Sequence, residues 1–244
     1  MRSRRIPDFG LFGQVLLIVL FMQGYFAART IVEDDGIDAR ANARSILDFE
    51  AAIGLDFERA WNSFILDHDV LSSLATVVYV WGYWVSVLAA LVFLWFRRRS
   101  TYRVLRDALA LSAVIGIGFF LLFPVAPPRA LDGFTDTVYG GAGGPGRDPP
   151  GGTNAFAAFP SYHVGWPAVA GIAVAMTTRR PSFRLLALLP AALLALTVIV
   201  TANHYVVDII GGVAICVFCL WASITAEKRL SWRAGASRLR PRHA

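Results

Sequence analysis

The chain reads as an all-α, polytopic membrane protein: six transmembrane helices in one bundle, plus short extracytoplasmic amphipathic helices, forming a single membrane-embedded domain over residues 1–244. Composition points there first, because 56% of the residues are hydrophobic and only 16% charged, with a mean hydropathy of +0.55. The apolar residues then gather into six runs, 11–28, 71–96, 108–123, 164–178, 185–202 and 205–226. Each is close to the roughly 20 residues a helix needs to cross about 30 Å of hydrocarbon, some only with flanking residues added. Finally, seventeen of the 23 Lys and Arg fall at the N-terminus, in the second and fourth connections and in the tail. Loops rich in these residues stay cytoplasmic, so both termini are expected inside a plasma-membrane protein. The net charge of +6 is thereby explained without nucleic acid.

The first run follows Arg2, Arg4 and Arg5 and ends near Ala27 and Ala28, as a signal peptide would. It is long for one and lacks a small-x-small site before Arg29, so a retained span is expected. Residues 29–70 are too polar to cross. Phe49, Ile53, Phe57, Trp61 and Phe64 recur at helical spacing there, with a break expected at Gly54 and a new N-cap at Asp56. Such helices lie in the interface, either packing on the bundle or guiding a lipid substrate. In the second run, Tyr79, Trp81, Tyr83 and Trp84 read as packing or interfacial aromatics.

The third run ends in Phe-Pro-Val-Ala-Pro-Pro ahead of Arg129, a stiff arm that delivers a guanidinium suited to a phosphate or to a salt bridge with Asp132 or Asp136. Residues 130–158 are expected to form a flexible extracytoplasmic loop, with a Gly/Pro-rich portion from Gly140 to Gly152 that lacks the Gly-Lys-Ser/Thr ending of a nucleotide-binding loop. The fourth span opens at Pro160 and Ser161, where serine can cap a helix N-terminus that favours an anion, with His163 in the first turn. Pro167 and Pro190 predict kinks in the fourth and fifth spans, and Gly211-Gly212 a close helix contact in the sixth. Cys216 and Cys219, inside the apolar sixth span, read as membrane-buried thiols rather than a zinc or redox pair.

Chemistry concentrates in two stretches, Pro160-Ser161-Tyr162-His163 and Asn203-His204-Tyr205-Val206-Val207-Asp208. Helical i, i+4 spacing brings Asp208 against His204, and a carboxylate-braced imidazole is the better nucleophile or base. An aspartate at the start of a span is costly unless paired. His163 is then available as a proton donor. The pair indicates acyl or phosphoryl transfer without a metal; polar residues at helix ends near the interface are the plain alternative.

Pro127-Pro128-Arg129, Pro160-Ser161-Tyr162-His163 and His204-Tyr205-Val206-Val207-Asp208 occur in the order of the three motifs of the type 2 phosphatidic acid phosphatase superfamily, which the chain resembles from about residue 70 onward. The resemblance implies that His204 attacks phosphorus to give a phosphohistidine, that Asp208 orients it and that His163 protonates the leaving oxygen. Arg129 and Ser161 would hold the phosphoryl oxygens, with Asn203 as an additional phosphate contact; no metal or cofactor is implied. Many phosphatase members carry a Ser-Arg pair where this chain has Thr197 and Val198. That departure resembles the inositol phosphorylceramide synthase branch, in which a lipid hydroxyl resolves the intermediate. The expected function is an integral membrane lipid-phosphate phosphatase or phosphotransferase with an extracytoplasmic site, taking a lipid phosphate or phospholipid. The alternatives are a head-group transferase and a non-catalytic lipid-binding or transport protein.

Overall fold

The computed structural model describes residues 10–30, 37–138 and 156–238, and the described residues are helical apart from turns and one isolated parallel bridge between Val125 and Ala157. The helices are α1 (Leu11–Thr30), α2 (Ile37–Ala52), α3 (Glu58–Leu66), α4 (Asp69–Val77), α5 (Tyr83–Arg97), α6 (Arg99–Leu122), α7 (Tyr162–Ala175), α8 (Pro181–Val200) and α9 (Val206–Arg238). A π-helical turn, Val78–Gly82, joins α4 to α5, so that residues 69–97 run as one helix.

The sequence leads one to expect six membrane-crossing helices; among the described residues four are long and apolar enough, Asp69–Arg97, Arg99–Leu122, Pro181–Val200 and Val206–Leu230. The fourth apolar run folds as α7, whose 14 residues rise only about 21 Å. It is apolar all round and buried on nearly every side, packed by α5, α8 and α9. A helix enclosed in this way is shielded by its neighbours instead of facing lipid. On the outer faces the long helices expose apolar side chains such as Val92, Phe96, Leu122, Leu185 and Phe218, as helices surrounded by hydrocarbon do.

Glycine sets how closely the central helices meet. A Cβ on Gly212 would stand 2.2 Å from the Ser161 carbonyl oxygen, and one on Gly165 2.7 Å from that of Gly212. The α7 and α9 backbones are therefore in contact beside the histidines. Cys216 and Cys219 are buried in the core cluster, without a disulfide.

Helix α3 is amphipathic in an inverted sense: Trp61 and Phe64 are exposed, while Glu58 and Asn62 are buried on the other face. Helix α2 turns Ala39, Ala43 and Ile46 inward and Asp38, Arg40, Arg44 and Asp48 outward in the usual sense, with Glu50 buried at the end of its apolar face. An apolar face turned outward suits contact with lipid, and the polar face must then find partners inside. Asn62 bonds the carbonyls of Val200 (2.9 Å) and Thr135 (3.1 Å) and accepts from the Thr135 amide. The break falls at Gly54 (φ +74), but α3 begins after Phe57, which makes no side-chain cap, so Asp56 is not the expected N-cap. The segment expected to be a flexible loop has packed ends: residues 131–138 lie under α3, and residues 156–158 pair with Val125. The Gly140–Gly152 portion lies outside the described residues.

Candidate active site

The ends of α6 and α8 and the starts of α7 and α9 meet at one end of the bundle, opposite the arginine-rich connections; there Arg103 on α6 pairs with Glu227 on α9 at 2.5 Å. Each of the six expected residues lies at this end. His204 is not itself in a helix but in the short lead-in before α9, and its contact with Asp208 survives because Asp208 occupies the first turn.

His204 is buried, and its Nδ1 lies 2.8 Å from the Ala158 carbonyl oxygen and 3.3 Å from Asp208 Oδ2. Both partners only accept, so Nδ1 carries the hydrogen and the lone pair is on Nε2. Asp208 Oδ2 also accepts the Tyr205 amide at 3.0 Å, while its Oδ1 is buried without a hydrogen-bond partner. The backbone completes the junction: the Ser161 amide donates to the Asp208 carbonyl at 3.0 Å, tying α7 to α9.

His163, in the first turn of α7, stacks on Tyr79 with centroids 4.7 Å apart and lies 5.1 Å from the Tyr83 ring. Its ring centroid is 5.6 Å from that of His204. Two imidazoles at that separation can address opposite sides of one small tetrahedral group. Sequence reasoning treated Tyr79 and Tyr83 as general packing aromatics. Their i, i+4 spacing puts both on one helix face, but only the packing of α7 brings that face against His163.

Ser161 occupies the N-cap position of α7 but makes no side-chain cap, contrary to expectation; its Oγ is fully buried and has no partner. A buried hydroxyl with no protein acceptor, next to the outward-pointing amides of a helix start, is available to an anion. Arg129 sits in a single 3-10 turn after the prolines, and its amide is held by the Ala202 carbonyl at 2.9 Å. Its Nε pairs with Asp136 Oδ2 at 3.3 Å, and Nη1 donates to Asn203 Oδ1. The arm reaches the site through Ala202, whose φ of +53 is left-handed without being glycine. Asn203, expected to contact phosphate, has its donors engaged elsewhere: Nδ2 bonds the Thr201 carbonyl (3.0 Å) and hydroxyl (2.9 Å), and Oδ1 takes Arg129. An amide so occupied has no N–H left for an anion, so Asn203 stands behind Arg129.

Thr197 bonds back to Leu193 at 2.7 Å, and Val198 is buried with its carbonyl accepting the amides of Asn203 and His204. No second guanidinium can come from these positions. Sequence reasoning also missed Glu50 and Glu58, whose carboxylates accept the Val207 amide at 2.6 Å and the Val206 amide at 3.3 Å. Glu50 continues the Ala39, Ala43, Ile46 spacing of α2, which was the available signal; Glu58 lies on the polar face of α3, which on an isolated amphipathic helix reads as solvent-facing. Below the aromatic pair, a mostly apolar cavity of about 640 Å³ runs along Tyr83, Trp84, Val87, Leu91, Leu109 and Trp166. Among the described residues no three His, Cys, Asp or Glu side chains are grouped to hold a metal ion.

A family model described as the PAP2 superfamily matches residues 44–222. In structure the chain is similar to LpxE from Aquifex aeolicus, solved as a crystal structure. The TM-score is 0.57 at 19% sequence identity, covering 70% of this chain and 94% of that one. No curated protein matches it. These likenesses fit the superfamily and do not single out the inositol phosphorylceramide synthase-like branch.

Proposed function

Because the chain belongs to the PAP2 superfamily, we propose that it is an integral membrane lipid-phosphate phosphatase working through a phosphohistidine on the extracytoplasmic face of the plasma membrane. The carrying observation is the His204 ring, whose Nδ1 hydrogen is directed at Ala158 and Asp208, so that Nε2 carries the lone pair that attacks phosphorus, with the His163 ring 5.6 Å away. Attack of Nε2 on the phosphoryl group breaks the ester bond, and His163 supplies the proton to the departing oxygen. Water then enters, its proton returning to His163, and the phosphate leaves His204. Arg129, oriented by Asn203 and Asp136, and the Ser161 hydroxyl neutralise the charge on the phosphoryl oxygens. The apolar cavity under Tyr83 and Trp166 offers room for a hydrocarbon chain.

One observation favours a second reading, in which a lipid alcohol replaces water as acceptor. The positions filled by Ser-Arg in many phosphatase relatives hold a back-bonded threonine and a buried valine, so this phosphate cradle has one cation fewer.

Purified protein incubated with a lipid phosphate, with and without a lipid alcohol, separates the two. Inorganic phosphate released without alcohol is expected; product formed only with alcohol reverses the order of the readings. His204→Ala is expected to lose about 10³-fold or more of the rate, and a variant with full activity rules out both.

A further inference from the structure

Three successive amides at the start of α9 are held by three carboxyl groups from different elements. Tyr205 donates to Asp208 Oδ2 at 3.0 Å, Val206 to Glu58 Oε1 at 3.3 Å and Val207 to Glu50 Oε1 at 2.6 Å. Glu50 and Glu58 are 0% and 1% exposed, lie within hydrogen-bonding reach of each other, and come from α2 and α3, outside the helices that carry the six expected site residues. Glutamates almost never occur this deeply buried unless paired. Glu50 Oε2 has no donor directed at it, an arrangement that a bound proton completes.

We propose that Glu50 and Glu58 are positioning residues: two buried carboxyl groups that together grip the Val206 and Val207 amides and so fix the turn carrying His204 and Asp208. The inference rests on the phosphohistidine reading for what that turn does. Neither glutamate is assigned contact with substrate; both act through His204. Their partial negative charge suits a helix N-terminus, and a small displacement of a nucleophile is sufficient to slow a reaction severely.

The pair has a pH signature. Burial, above all, pushes Glu50 up from an ordinary 4.5 to about 8, with Glu58 and Asp208 adding repulsion. The groups facing it are Glu58 from α3, and Tyr205 and Asp208 at the start of α9, with the Arg129 cation nearby. Being raised, the Glu50 contribution to stability is complete below pH 4.5 and is lost as pH rises toward 8. Above that value Glu50 is a buried anion beside the Glu58 carboxyl group, and the grip loosens.

Glu50→Gln and Glu50→Ala, in detergent-purified full-length protein, test this by activity across pH and by melting temperature across pH. Glutamine can still accept from Val207 and donate to Glu58, but it does not titrate. E50Q is expected to keep the neutral-pH kcat, to stay active above pH 8 where the wild type is expected to decline, and to lose the extra fall in melting temperature expected of the wild type between pH 4.5 and 8. E50A is expected to lower kcat by about 10²-fold while KM stays near the wild-type value. The proposal is overturned if E50Q is as inactive as E50A, if its melting follows the wild-type pH slope, or if E50A is fully active. The melting comparison uses no substrate, so a failed phosphatase reading, seen as a fully active His204→Ala, remains distinguishable from a failed grip.

Discussion

Asp208 uses one oxygen for two donors, and in the proposed mechanism its role falls on the imidazole. Oδ2 serves both the Tyr205 amide and the His204 ring, so Asp208→Asn preserves the shape but removes the charge that supports His204 as it takes on positive character. Steady-state kinetics should show kcat lowered by about 10²- to 10⁴-fold with KM little changed. Ser161→Ala should behave differently. Its hydroxyl bonds nothing in the protein, so the melting temperature should hold while kcat/KM falls by about 10- to 100-fold, the worth of a hydrogen bond to a charged group. A lowered melting temperature with unchanged kinetics would return Ser161 to a packing role. Arg129 holds Asp136 and Asn203 with different nitrogens of one planar fork, a geometry lysine cannot reproduce; Arg129→Lys should therefore rescue little of the activity lost in Arg129→Ala.

Among the elements, α7 and α9 depend on each other through missing side chains. Gly212→Ala would force a Cβ to 2.2 Å from the Ser161 carbonyl, whereas Gly118 on α6 has nothing within 4 Å of such an atom. Overpacking of this kind costs about 1–3 kcal/mol, and here it also displaces the residue next to Tyr162 and His163. Thermal melts of the two alanine variants should separate them clearly, with Gly212→Ala lower and less active and Gly118→Ala unchanged. The Gly211-Gly212 contact was legible because small residues in an apolar helix have few other uses. The burial of Glu50 and Glu58 was not. Periodicity reveals two faces on α3, but only the start of α9 makes its polar face the buried one.

For the whole molecule, the antiparallel course of α5 through α9 gathers the histidines at one end and the arginine-rich connections at the other. Impermeant thiol labelling of sealed cells tests which end faces outward. Both native cysteines are buried, and Asp132 and Ser182 are exposed at opposite ends. Asp132→Cys should react from outside, and Ser182→Cys only after permeabilisation; the reverse pattern would turn the protein over and put the site in the cytoplasm.

The amino-acid sequence by itself determined the helical membrane class, the family and the short stretches that the structure brings together at one end of the bundle. Hydrophobic run length and i, i+4 spacing are local properties, and a continuous apolar run of about 20 residues can satisfy its backbone in hydrocarbon only as a helix. Tertiary structure alone decided that α7 is enclosed by its neighbours, that Asn203 backs Arg129, that Tyr79 and Tyr83 cradle His163, and that Glu50 and Glu58 reach the turn carrying His204. Each of these joins residues far apart in the chain. Hydrogen-bond donors and acceptors acquire partners only when the helices pack, and no local pattern records which partner that will be.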